Sequence, residues 1–520
     1  TITQSNAEGF KITDIPDVCL DNLPPHLISL TPSKTTVFPG ETITITATAQ
    51  DPDNDILYYY WSAEDGFLGL GFSNSITWTA PSTPGTYRIK VVVNDHKGGW
   101  ESEVVEINVG MAWWAKTYGG SLDDGAIDII SAFDEYVVVG WTLSFGVGPL
   151  NIWILKIDIR GHILWEKAYG NPHFGMGGYY ISPSDDGFLV VGEVGEVEGN
   201  SDLLVLKIKN DGSFIWAKRI PRPHGGNIRP LGVFRTPDGG HIIAANIYGS
   251  SLWILKLDRN GGIDWQIKYE DMFHVWGGFL PTSDGGYLLS GYYLVWDPEY
   301  CCVVRKVDRD FNIEWQKKYK GIPTDTPYMN IQSVETSEGE YIIHFGAPSL
   351  LKLDRDGNPL WLKEFVYSGF EITGIGYRMK RLKNGSLLGV GGLIPAGGGI
   401  WNLNLFMLNF GSDGEIYYAR SYGGSNLDLL LSIHQTPDEG FLIGGTTNSF
   451  GAGNNDIWIL KMLPDGTCPP LGEDVEISLS DIPLPEVSDI YTPPVPTSVV
   501  PEDIVLTVTD TSAEVHQQAP

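Results

Sequence analysis

Residues 152–169 read IWILKIDIRGHILWEKAY, and this stretch decides the fold. An apolar run with a single lysine, Lys156, ends in an Asp/Gly turn, and Trp165 follows at the head of a W-x-K-x-Y segment. The same unit recurs through the middle of the chain. "KNDGSFIW" ends at Trp216, "DRNGGIDW" at Trp265, "DRDFNIEW" at Trp315, "DRDGNPLW" at Trp361 and "GSDGEIYY" at Tyr418. A first copy of the anchor, Trp114 in "MAWWAKTYGG", precedes them all. The anchors lie 46 to 57 residues apart, which is too long for leucine-rich or ankyrin repeats and right for a four-stranded unit.

Each unit reads as four short strands. The turn after the first is marked by segments such as "TPDGGHIIAA", where Asp and Gly supply the tight geometry. The third strand is a near-continuous apolar run carrying Lys156, Lys207, Lys256, Lys306, Lys352 or Lys461, with Asn409 in the sixth unit. Apolar runs of this kind predict burial on both faces, as in sheets sandwiched between neighbouring sheets. The anchor Trp is expected to wedge between neighbours, its indole N–H bonded to backbone. Seven anchors are present, but the first stands before any first strand, and the seventh unit stops after "NDIWILKML". The segment around Trp114 should therefore supply the missing strand of the last unit, which removes an open edge. The expected fold is all-β: a seven-bladed β-propeller over residues 111–466.

This region resembles the Trp-anchored propeller repeats, quinoprotein-like and kelch-like among them. It looks closest to a secreted repeat of archaeal and bacterial surface proteins, with its "W-x-K-x-Y-G-G", "DGG-Y/F" and "DIWILKLD-x-x-G" segments. The resemblance covers about two thirds of the chain. It implies fold more than function, because propellers host many activities.

Residues 24–110 read as a smaller β domain. "ETITITATAQ" alternates Ile43, Ile45, Ala47 and Ala49 with polar residues, the pattern of a half-buried strand. With "DPDND", Trp61, "WTAP" and Asp95 it resembles immunoglobulin-like β-sandwich domains of the PKD and cadherin-like type, without the paired cysteines of antibody domains. Asp51, Asp53, Asp55 and Asp95 are candidate ligands for Ca²⁺, a hard cation that needs clustered oxygens, set against a plain solvated turn.

The ends differ from both domains. Residues 1–23 and the Pro-rich 467–520 are read as extended, strand-forming tails. Ile504, Val505, Leu506 and Val508 lie in an uncharged strand-like stretch that needs a partner. The reading favours a neighbouring copy over the chain's own body, giving a homopolymer such as a filament or surface lattice. Cys19 and Cys468 sit in Pro-rich flanks and are candidates for a disulfide joining the two ends. Cys301 and Cys302, adjacent in a strand, point to opposite faces and read as packed thiols.

The net charge of −30 repels nucleic acid and anionic membranes, so neither is an expected partner. No apolar run reaches membrane-spanning length, and a start at Thr1 suggests a processed, secreted form. Catalytic motifs are missing: there is no nucleophile elbow, zinc-protease helix or phosphate loop. His241 and His344 read as packed strand residues, and Asn384 in Asn-Gly-Ser as a turn residue and candidate glycosylation site. The leading expectation is a non-enzymatic structural or adhesive surface protein joined through its terminal strands. The alternatives are a glycan-binding propeller and a polysaccharide lyase or hydrolase. Apart from Ca²⁺, no cofactor is expected.

Overall fold

The structure, a computed structural model, describes residues 22–81, 83–110, 113–132, 135–196, 200–223, 226–247, 251–270, 278–293, 301–322, 331–345, 349–367, 370–395, 402–468, 472–489, 495–497, 499–500 and 502–517. The described residues form strands, turns and loops, with no helix among them. The chain divides into two compact units, Thr1–Met111 and Ala112–Pro520.

The first unit is a sandwich of two four-stranded sheets. One contains His26–Pro32, Thr42–Gln50, Ser75–Thr79 and Phe67–Leu68; the other Thr36–Val37, Trp100–Val109, Gly85–Asn94 and Tyr58–Ala63. Alternation decides the faces: Ile43, Ile45 and Ala47 are buried while Thr42 and Thr44 face water. Ile45, Trp78, Ile89 and Ile107 are fully shielded at its centre.

The second unit contains seven five-stranded sheets. In the first, Asp124–Ala132, Glu135–Thr142, Asn151–Asp158 and Ile163–Gly170 form an antiparallel meander. Five further meanders follow, opening at Gly175, Ile228, Phe279, Ile331 and Phe370. The last takes three strands from Asp428–Gln435, Phe441–Thr447 and Asp456–Met462, and its fourth from Trp114–Gly119, with Lys461 opposite Trp114. The offset counted in the sequence is this pairing.

Apolar clusters join each sheet to the next. Val137 and Ile154 meet Val190 and Leu206 between the first two sheets. Between the seventh and the first, Trp114, Tyr118 and Ile457 meet Val138 and Trp153. The third strands are buried on both faces, as their apolar runs predict. Their lysines are held by an acid in or beside the turn joining the first two strands. Lys156 pairs with Glu135 at 2.5 Å, Lys207 with Asp186 at 3.1 Å, Lys306 with Asp284 at 2.8 Å, Lys352 with Glu340 at 2.6 Å and Lys461 with Asp438 at 2.8 Å; Lys256 pairs with Asp238. A buried ammonium needs such a partner, so the lysine that interrupts each apolar run is also explained.

Anchor indoles bond across the junctions: Trp114 Nε1 donates to the Ile159 carbonyl at 3.0 Å, Trp165 to Asn210 at 3.1 Å and Trp315 to Arg355 at 2.9 Å. Trp361 Nε1 is buried without a partner.

The fifth strand of every sheet comes from the C-terminal segment of the same chain, where the sequence reading favours a strand added to a neighbouring copy. Gly472–Asp474 joins the sixth sheet, Ile477–Asp481 the fifth, Glu486–Asp489 the fourth, Val495–Pro496 the third, Glu502–Asp503 the second, Thr507–Asp510 the first and Glu514–Gln517 the seventh. The segment thus visits its own sheets in reverse order. Ile504, Leu506 and Val508 pack into the cluster between the first two sheets, while Val505 is exposed. The physical reason is proximity: after Met462 the chain is already beside seven unpaired sheet edges, and filling them needs only short links.

Candidate functional site

The pairing register brings one position from each sheet together. The residue paired, through the second strand, with the third-strand lysine (Asn409 in the sixth sheet) is Ile130, Ser182, Phe234, Leu280, Val334, Lys380 or His434. Two residues earlier on the same strand face stand Asp128, Tyr180, Gly232, Gly278, Gln332, Arg378 and Ser432. These first strands form the sheet edge farthest from the tail strand.

The side chains of this layer meet across the middle. Arg378, from the sixth sheet, lies over the Tyr180 ring of the second, 5.0 Å from its centroid, with Nη1 3.5 Å from the hydroxyl. These sheets are not consecutive along the chain, so the contact joins units far apart in sequence. Asp128 accepts from Ile129 N and Ser432 Oγ, both at 3.0 Å, and from Ile181 N at 3.3 Å. Three sheets therefore fix one carboxylate. A bulge in the first strand of five sheets, such as that between Ala126 and Asp128, aims these residues.

The electrostatics are asymmetric. Burial lifts the Asp128 carboxyl above its ordinary value, against the opposing pull of Arg378 and the three donors. Burial lowers the Lys380 ammonium below the usual lysine value, with Asp128 opposing. Burial, then the charges of Lys380 and Lys383, depress the His434 imidazole to about 4. The polar and charged members come from sheets five, six, seven, one and two; sheets three and four contribute Gly232, Gly278, Phe234 and Leu280. Two cations face one carboxylate that already accepts three hydrogen bonds. That arrangement suits holding an anion more than moving a proton.

In the first unit, carboxylate oxygens of Asp51, Asp53 and Asp55 lie within 4.8 Å of one another. Asp51 Oδ1 accepts the amides of Asp53 at 2.8 Å and Asp55 at 3.1 Å, which curls the turn. Lys97 Nζ meets Asp55 Oδ1 at 2.5 Å, and Leu23 N donates to Asp53 Oδ2 at 2.7 Å. Asp51 Oδ2 and Asp55 Oδ2 are buried without a partner. Orphaned carboxylate oxygens beside a third carboxylate fit a hard divalent cation. Asp95, expected in the same set, is outside this cluster. Its Oδ1 accepts Lys97 N and Gly99 N, and its Oδ2 accepts Asn22 Nδ2, so it closes a hairpin turn.

Residues 27–109 match the PKD domain. The PKD domain thus carries the acidic turn and the alternating strand from which the sequence reading began. A comparison with curated proteins finds no match. Among solved structures, a protein of unknown function from Bacteroides thetaiotaomicron is similar at 11% identity and TM-score 0.37, over 85% of this chain and 98% of that one. BamB from Moraxella catarrhalis is similar at 11% identity and TM-score 0.32, over 84% of this chain and 100% of that one. An auxiliary nutrient binding protein from Bacteroides ovatus is similar at 10% identity and TM-score 0.35, over 84% and 97%. Likenesses of this degree carry no conclusion about ligand or activity.

The remaining sequence-predicted residues are placed as follows. Cys468 is buried with its Sγ 3.9 Å from the Trp114 carbonyl, and burial pushes its thiol up to about 12; Cys19, and with it the expected disulfide, lies outside the described residues. Cys302 is packed between the fourth and fifth sheets. His241 and His344 are buried strand residues. Asn384 is exposed at a hairpin turn, where its Oδ1 accepts Ser386 N at 3.0 Å and Ser386 Oγ at 2.9 Å. The central layer escaped the sequence reading. Aligning the units by their lysines shows Asp128, Tyr180, Arg378 and Ser432 at one repeat position, but nothing in one strand says that seven copies converge. Among the described residues no helix is long and apolar enough to cross a membrane.

Proposed function

We propose that this protein is a non-enzymatic extracellular binding protein, in which a seven-bladed β-propeller takes a compact anionic group at its axis. The observation that carries this reading is the central layer. The repeat keeps its anchors and lysines alike from unit to unit but varies this position among Asp128, Tyr180, Gly232, Gly278, Gln332, Arg378 and Ser432. A position that is structurally equivalent and chemically different in each blade is where a scaffold acquires specificity. Arg378 offers a planar fork suited to a carboxylate. Asp128 is held by three donors from three sheets, which speaks for a fixed structural carboxylate more than for the mobile base of the lyase and hydrolase reading. The extracellular setting is supported by the PKD domain and by a tail that pairs with one edge of every sheet of the second unit, a property useful where proteases are met.

The test is calorimetric titration with sodium acetate, sodium sulfate and methylammonium chloride at matched ionic strength. The acetate or sulfate anion should bind and methylammonium should not, and a folded Arg378→Gln/Lys380→Gln variant should lose the anion. Equal binding to the variant, or a preference for the cation, overturns the reading.

A further inference from the structure

The seven junctions between neighbouring sheets follow one plan, and the junction of the third and fourth departs from it in three coordinated places. Two residues after the anchor stands a cation in six units, Lys116, Lys167, Lys218, Lys317, Lys363 or Arg420; in the third it is Ile267. The tail residue opposite is Asp510, Asp503, Asp489, Asp481 or Asp474 in five units and Gln517 in the seventh; opposite Ile267 it is Pro496. The turn of the following sheet places glycine at positive φ six times, as at Gly212 (76°) and Gly357 (78°); after the third anchor that residue is Phe311, at 65°.

Glycine is needed at this corner for two reasons. The left-handed backbone disfavours a Cβ, and the neighbouring anchor closes down on it. A Cβ built on Gly161 would lie 2.7 Å from Trp114, on Gly261 2.7 Å from Trp216, and on Gly357 2.8 Å from Trp315. Lysine stems complete the seal, with Lys167 Cδ and Lys218 Cδ 2.9 Å from the Cβ positions of Gly212 and Gly261. Phe311 brings a benzyl group to that corner, so Trp265 stands edge-on to it at 5.1 Å between centroids. The repeat's own hydrogen bond measures the wedge. Tyr118, Tyr169 and Tyr319 donate to the turn carbonyl at 2.7, 2.5 and 2.7 Å, whereas Tyr269 reaches the Phe311 carbonyl at 3.4 Å.

A cavity of about 810 Å³ opens there. Trp265, Ile267, Tyr287 and Phe311 line its apolar side, with Tyr287 and Phe311 stacked at 4.8 Å. Its rim charges are internally matched: Lys256 with Asp238 and with Asp264 at 3.3 Å, and Arg309 with Asp310 at 3.6 Å. A charged ligand would have to break these pairs. A wholly apolar one would desolvate rim groups without replacing their hydrogen bonds. An uncharged ring with one apolar face and several hydroxyls satisfies both constraints.

We propose that the cavity between the third and fourth sheets is a second binding site, for a neutral pyranose that stacks on Trp265 and hydrogen-bonds to the rim. It is separate from the axial anion site and does not depend on it.

The probes are the methyl glycosides of glucose, galactose and mannose, with p-cresol and sodium benzoate as apolar and charged controls, followed by saturation-transfer NMR on the full chain. At least one glycoside should bind in preference to both controls. Two variants act differently on the fold: Trp265→Ala removes the platform, and Ile267→Lys restores the cation that seals the other junctions. Both should weaken the glycoside by roughly tenfold or more, while the Arg378→Gln/Lys380→Gln variant binds it unchanged. Failure of all three glycosides, preference for a control, or wild-type binding by Ile267→Lys overturns the proposal. Acetate binding at the axis is read separately, so either site can fail alone.

Discussion

His434 shows how the centre of the second unit sets the protonation of a single group. Its folded value near 4 lies below the 6.5 of free histidine, because burial and two lysines penalise the cation. The unfolded chain therefore binds the extra proton between those values. The stability held by the neutral imidazole is complete above about pH 6.5 and drains away as pH falls towards 4, by at most about 3 kcal/mol. Urea midpoints measured from pH 4 to 7 should fall with acidity more steeply in the wild type than in His434→Phe. In the PKD domain, Asp51 has one carboxylate oxygen, Oδ2, that is buried and accepts no hydrogen bond. Calcium should stabilise that domain by about 2.7 kcal/mol at a hundredfold excess over Kd, and so raise its unfolding midpoint. Asp51→Asn should abolish the difference between calcium and EDTA melts, and identical wild-type melts would dismiss the site.

At the scale of elements, the tail strands matter more through the edges they cover than through their charges. The Asp503–Lys218 and Asp510–Lys167 pairs, at 2.9 and 2.6 Å, leave the carboxylates 85% exposed. Reversing one charge, as in Asp503→Lys, should cost less than about 1 kcal/mol in urea unfolding. Ending the chain after Leu463 is a different matter. It strips seven sheet edges and uncovers the apolar contacts of Val475, Ile477, Leu479, Ile504, Leu506 and Val508, each contributing about 1 kcal/mol when half-buried. That truncation should unfold at markedly lower urea and scatter light on standing. A tail that detaches without either effect would show the seven pairings to be incidental. The tail's own period was legible all along: Asp474, Asp481, Asp489, Pro496, Asp503, Asp510 and Gln517 recur in steps of seven or eight residues. The apolar stretch at 504–508 reads as a strand in need of a partner, but the period names the partner, because seven positions at near-equal spacing match seven sheets.

For the second unit as a whole, its first strand, Trp114–Gly119, completes the seventh sheet. Trp114 is 5% exposed and bonds across the joint to Ile159, whereas Trp165, at an ordinary junction, is half-buried. Trp114→Ala should therefore cost more than Trp165→Ala, about 3–5 kcal/mol by chemical denaturation. Equal losses would mean that the joint is no more critical than the other junctions.

The sequence alone determined the repeat, its count, the strand borrowed from near Trp114 and the separate N-terminal sandwich, because these follow from local patterns of burial and turn chemistry repeated along the chain. Tertiary structure decided the rest. Asp128, Tyr180 and Arg378 come together only when distant units pack, and the tail finds its partners only when seven open edges are present. Both depend on relative placement, which a one-dimensional pattern does not carry.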